Sequence, residues 1–222
     1  MNYQCDETGE SCDIVKGICR DCGRGQKVVV IDVESTGLYP AQGAKLYEVA
    51  CGFLEGNERV DIQTWNIDRD LSFQTRLVMK RLRHLSELPV PHWNGDSEEL
   101  VAHQVKAKLS EFFESSYPGE WFLCAYNAPF ESSFMCKKPW AIMPKAWKRD
   151  LMIDVMKIMG PAGALQRLEW KQGEYKWPKL ETETLPFFGI VNDFPHSAEG
   201  DVRAEVEVYL KLLEMEGEHN DL

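Results

Sequence analysis

The chain has no run approaching the roughly eighteen consecutive apolar residues of a membrane span, and its start, MNYQCDETGE, lacks the basic-then-apolar layout of a secretory leader. We therefore expect a cytoplasmic protein with no membrane association. Positive charge is scarce as well: 25 Lys and Arg against 36 Asp and Glu leave a net charge of −11. Broad coating of nucleic acid depends on neutralising many phosphates, so that class is disfavoured. A nuclease that grips only a few terminal nucleotides is not, because a metal site needs acidic ligands and brings its own positive charge. No internal repeat is present. What the chain does have, 222 residues of which 44% are hydrophobic, suffices for one large core.

Composition breaks near Gly25. Before it the chain is Cys, Gly and charge; after it an apolar strand begins. We divide the chain into a Cys-rich appendage at 1–24, a main domain at 25–216 and an acidic tail at 217–222. Four of the seven cysteines, Cys5, Cys12, Cys19 and Cys22, fall in the appendage with the spacing C-x6-C-x6-C-x2-C. The second pair looks like a zinc knuckle, in which a tight turn aims two thiolates at one tetrahedral ion, whereas the first pair is spaced too widely for one. Either the four hold one structural Zn²⁺ or they are free thiols. Cys51, Cys124 and Cys136 lie in expected core elements and read as small buried hydrophobes.

In the main domain, strand-like runs cover Lys27 to Ile31, Lys45 to Leu54 and Arg59 to Trp65, the last two joined by an EGNE turn. Gln74 to Leu88 reads as a helix with Val78, Leu82 and Leu85 on one face and a basic face from Arg76 to His84. GDSEE then announces a helix, capped by Asp96 or Ser97, that buries Val101, Val105, Leu109 and Phe112. Trp121 to Tyr126 reads as a buried strand, and helices follow from Asn127, over Asp150 to Met159, Lys179 to Phe188 and Ser197 to Glu216. This order predicts an α/β fold with a mixed sheet flanked by helices.

The stretch VVVIDVESTGLYP sets two acids, Asp32 and Glu34, after the buried run Val28 to Ile31. With period-two alternation they face the same side, where they repel unless a cation or solvent lies between them. Alone, such a pair reads more simply as a turn residue and a solvated acid. Two further segments change that. CAYNAPFESSFM carries Glu131 just after a second buried strand, and PHSAEGDVRAEVEVYL carries His196 before a helix and Asp201 in its first turns.

D-x-E-S-T-G-L after a strand, then N-A-x-F-E, then K-L-E-T ahead of H-x-x-x-x-D, in this order, resembles the DEDDh branch of 3′-to-5′ exonucleases. The resemblance runs from about Lys27 to Leu213. It implies an RNase H-like mixed five-stranded sheet flanked by helices. It implies hydrolysis of single-stranded DNA or RNA 3′ ends to nucleoside monophosphates, with two Mg²⁺ or Mn²⁺ ions. Asp32 would bridge the ions, Glu34 and Asp201 would complete the one that binds the attacking water, and His196 would be the general base. Glu131 stands where the family has Asp, one methylene longer, and would serve the second ion. Ser35, Thr36, Gly37 and Leu38 would line the pocket for the terminal nucleotide, with Asn127 and Phe130 on its other wall. Two segments interleaving basic and aromatic residues, KKPWAIMPKAWKR and EWKQGEYKWPK, offer stacking surfaces for single strands, or Trp side chains that pack on the core.

Because of Glu131, a catalytically weak or inactive module of the same fold, binding nucleic acid or a replication or repair partner, is the alternative. Intact Asp32, Glu34, His196 and Asp201 favour the enzyme. A homodimer is compatible with the resemblance, since some of the family dimerise.

Overall fold

The computed structural model describes residues 27–56, 58–68, 95–118, 121–142, 147–159 and 177–218, together with short paired segments at 3–4, 11–12, 14–15, 18–19, 169–171 and 174–175. The expected helix at Gln74 to Leu88, with its basic face, lies outside the described residues. So do Cys5 and Cys22; the backbones of Cys12 and Cys19 lie in two small antiparallel pairs, Tyr3–Gln4 with Ser11–Cys12 and Ile14–Val15 with Ile18–Cys19.

The main sheet has five strands: β1 (Lys27–Ser35), β2 (Leu46–Glu55), β3 (Glu58–Asn66), β4 (Leu123–Ala125) and β5 (Trp147–Asp150). Their order is β3-β2-β1-β4-β5. The first three form an antiparallel meander, with Glu55 paired to Glu58 across the tight turn, and β4 and β5 add in parallel to β1 and β4. A mixed sheet flanked by helices is what the element order predicts. The short β5 was not read in the sequence, because WKRD has no alternation to mark it.

The described residues also form the helices α1 (Glu98–Phe113), α2 (Ala128–Met135), α3 (Leu151–Met159), α4 (Leu185–Phe188) and α5 (Ala198–Glu218). Ser97 caps α1, its Oγ accepting from the Leu100 N–H at 3.3 Å, and Val101, Val105 and Leu109 are buried as their spacing requires. The segment read as a helix from Lys179 opens instead as a π-helical turn, Leu180–Thr184, ahead of α4. Among the described residues no helix is long and apolar enough to cross a membrane.

Parity along β1 sorts the core. Val29, Ile31 and Val33 pack with α1 and α2 on one face, whereas Val28 and Val30 pack with α3 and α5 on the other. Asp32 and Glu34 continue the second set, so both acids emerge under α5. The helix can lie that close because β2 carries Gly52 opposite Val30: a Cβ there would come within 2.7 Å of Val206 and 2.9 Å of Val202. Cys51 and Cys124 are buried and Cys136 is half-buried. Trp140 of the first interleaved segment is 1% exposed and donates its indole N–H to Glu98 at 2.9 Å, so it is core and not a stacking surface, while Trp177 of the second is 47% exposed.

Candidate metal centre

Asp32 and Glu34 do not stand beyond the end of β1, as expected; the strand runs on through Ser35, and both acids lie inside it. The reason is pairing: β2 continues opposite, with Asp32 facing Ala50 and Glu34 facing Glu48, until a register shift between Glu34 and Ser35 breaks the ladder. Such irregularities bend a strand and re-aim its side chains. Two acids directly opposite each other on neighbouring strands are unfavourable unless satisfied. Here Tyr47 donates its O–H to Glu34 at 3.0 Å, and buried Glu48 accepts from the Ala198 N–H at 3.4 Å. Glu48 thereby complements the positive end of α5 and fixes where that helix starts.

The approach to α5 is a tight turn. Ser197 receives the Gly200 N–H at 3.1 Å and donates to the Phe194 carbonyl at 3.0 Å. A Cβ on Gly200 would meet that carbonyl at 2.0 Å, so only glycine fits. His196, just before the turn closes, sits at φ +62° and is exposed. One turn later, Asp201 points back at the sheet.

Asp32, Glu34 and Asp201 converge so that one carboxylate oxygen from each lies within 4.8 Å of the other two. Asp201 is steadied by Asn192, whose amide donates to it at 2.7 Å and to Glu181 at 2.8 Å. Burial, and then the charges of Glu34 and Glu181, push its carboxyl up to about 8. Asp32 is driven well above the ordinary carboxylate range by burial and by the surrounding acids Glu205, Asp201, Glu34 and Glu131. Glu131, 3% exposed on the first turn of α2, is likewise raised, by burial first and by Asp150 at the end of β5. A half-buried pocket this acidic suits hard divalent cations, which would replace proton by metal on each ligand.

Around this centre, Ser35 donates to the Gly37 carbonyl at 2.7 Å and Thr36 Oγ1 accepts from the Lys45 N–H at 3.0 Å, shaping the loop after β1. Leu38 at its tip is 67% exposed, which rules out a core role. Across from β1, Asn127 takes the N-cap position of α2 without a side-chain capping bond. Phe130 is half-buried, packed edge-on against Phe134 with ring centroids 5.3 Å apart. His196 has no side-chain hydrogen bond or ion pair among the described residues, so the structure does not tie it to the three converged acids.

Several residues of the centre were not singled out in the sequence. Glu48, Tyr47 and Asn192 act through tertiary contacts that no local pattern announces. Glu205 had a signal: it follows Asp201 by four residues on a helix whose neighbouring positions are apolar, so it shares the buried side.

No protein-family model matches the chain, and no curated protein matches it by sequence. Solved structures do match in fold. The zinc-bound form of Escherichia coli exonuclease I with single-stranded DNA superposes with a TM-score of 0.57 at 17% identity, over 86% of this chain and 40% of that one. A 3′-exonuclease that recognises the end of the histone mRNA stem-loop gives 0.57 at 16%, over 84% and 63%. A full-length 3′-exonuclease gives 0.54 at 20%, over 85% and 81%. The chain thus spans about two fifths of exonuclease I. These likenesses show the fold, an RNase H-like one of the kind the DEDDh exonucleases have.

Proposed function

We propose that the protein is a divalent-metal-dependent 3′-to-5′ exonuclease that releases nucleoside monophosphates from single-stranded DNA or RNA. The observation that carries this reading is the convergence of Asp32, Glu34 and Asp201 from β1 and α5. Like charges held so close in a half-buried site are unfavourable for the fold by itself, and cation binding is the chemistry that makes use of them. The fold likeness to 3′-exonucleases supports the same direction.

Asp32, Glu34, Asp201 and Glu131 are the residues that would hold a pair of Mg²⁺ or Mn²⁺ ions. Bound there, the ions supply a nucleophilic water near neutral pH, relief of charge on the phosphoryl oxygens and stabilisation of the departing 3′ oxygen. His196 is assigned to accept the water's proton; its solvent-exposed place lets the imidazole pass that proton on to bulk water between turnovers. The head of α5 is set by the Glu48 contact and the Ser197 turn, so His196 and Asp201 are presented by one rigid element. The exposed Leu38 and the half-buried Phe130 are assigned to flank the last base, with the backbone of Ser35 to Gly37 and the Asn127 amide beside the sugar and phosphate.

The test is a time course on 5′-labelled single-stranded DNA and RNA of one sequence, with Mg²⁺, Mn²⁺ or chelator, beside Asp32→Ala. A ladder shortening one nucleotide at a time, dependent on metal and absent in the variant, is the expected result, and it chooses the sugar. Intact strands in every lane from folded protein would overturn the reading.

A further inference from the structure

Beneath the three converged acids lies a carboxylate that neither the motifs nor the roles assigned above use. Glu205 is 2% exposed, one helical turn beyond Asp201 on α5 and therefore on the same side of the helix. Among the described residues its Oε2 is buried with no hydrogen-bond partner, and so is Oε2 of Glu131, 3% exposed, on α2. Two orphaned carboxylate oxygens in one site are rare, since buried polar atoms are nearly always satisfied.

A buried carboxylate meets either a proton or a cation. A proton shared between the free oxygens of the two glutamates would show as a hydrogen bond between them, and among the described residues Oε2 of neither has one. The charged groups close enough to act on Glu205 are themselves acids, Glu131 and Asp201, and Glu205 in turn acts on Asp32. A cation is the group that satisfies the whole set.

We propose that Glu205 is a fifth carboxylate ligand, completing with Asp32 and Glu131 the inner of two divalent-cation positions. The inference deepens the reading of the site as a metal centre and rests on it. Its chemical sense is compensation: with the longer Glu131 on α2, a second glutamate from α5 supplies an oxygen from the opposite wall. Hard oxygen donors alone in the set select Mg²⁺ or Mn²⁺ over thiophilic metals.

The experiment is Mn²⁺ titration of the full chain, by calorimetry and by loss of the free-Mn²⁺ paramagnetic resonance signal, on the wild type, Glu205→Gln and Glu207→Gln. Glu207 is exposed on α5 and serves as the control. Melting in chelator shows that Glu205→Gln folds. The expected result is two Mn²⁺ per chain for wild type and Glu207→Gln, with the weaker site at least tenfold weaker or absent in Glu205→Gln and the tighter one kept. Equal stoichiometry and affinities in all three proteins would overturn the proposal. No Mn²⁺ binding by wild type would overturn it together with the nuclease reading. Two Mn²⁺ bound, sensitive to Glu205→Gln, with no strand cleaved, would support it and sink the nuclease reading alone.

Discussion

Asp201→Asn should make the metal-free protein more stable, and more so the higher the pH. The Asp201 carboxyl is pushed up to about 8 from an ordinary value of 3.8, because burial and the charges of Glu34 and Glu181 oppose ionisation more than the Asn192 amide assists it. Between those two values the folded protein keeps a proton that the unfolded chain releases, so stability is full below pH 3.8 and falls as pH rises towards 8. At about 1.4 kcal/mol per tenfold change in proton affinity, the loss has a ceiling of about 5 kcal/mol near pH 8. Asp32, Glu34 and Glu131 share the same repulsion, so removing one acid recovers only part of it, about 2–3 kcal/mol. For a domain of this size that is a rise in Tm of roughly 5–10 °C. Asparagine has the same shape and keeps an oxygen for the Asn192 amide. The assay is thermal and urea unfolding in chelator at pH 5 and pH 8, repeated in excess Mn²⁺. The variant should lead at pH 8, by less at pH 5, and lose its lead in Mn²⁺, which at a hundred times its dissociation constant stabilises the wild type by about 2.7 kcal/mol. A gap below about 0.5 kcal/mol at pH 8, or one that does not grow with pH, would refute buried repulsion at this site.

His196→Ala should lower cleavage by about 10²- to 10⁴-fold in single-turnover assays while leaving Tm unchanged, because the side chain is exposed. Leu38→Ala, at a position 67% exposed, should change stability by less than about 0.5 kcal/mol yet raise KM for strand ends, measured with the same substrates. Gly52→Ala drives a methyl into Val202 and Val206, so unfolding in urea should show a loss of about 1–3 kcal/mol, with activity falling as α5 shifts. Tyr126→Phe removes the phenol that donates to the Pro178 carbonyl at 2.8 Å and meets Thr184, at a cost of about 1–2 kcal/mol by the same measure.

The elements that carry the site were legible because their patterns are local. Val28 to Ile31 reads as a buried strand whatever surrounds it, the Ser97 cap follows from side-chain reach to a backbone N–H three residues on, and the stripe Val101, Val105 and Leu109 follows from 3.6 residues per turn. Parity along β1 placed Asp32 and Glu34 on one side, and it held because alternation in a paired strand is geometric. The strand ends four residues beyond Ile31, because charge does not stop a strand whose ladder with β2 carries through both acids.

Residue types, their order and their periodicity were therefore enough to determine the α/β class and the shared side of the β1 pair, Asp32 and Glu34. Only the tertiary structure decided that Asp201 meets Asp32 and Glu34 within 4.8 Å, that Gly52 admits α5 to the sheet, and that Glu48 holds the start of that helix. It alone decided that Oε2 of Glu131 and Oε2 of Glu205 are buried with no hydrogen-bond partner among the described residues. The physical reason is range: alternation and helix turns act over a few residues, whereas a carboxylate's desolvation and its charged neighbours are set by groups more than a hundred positions away, which come near only when the sheet and α5 have packed.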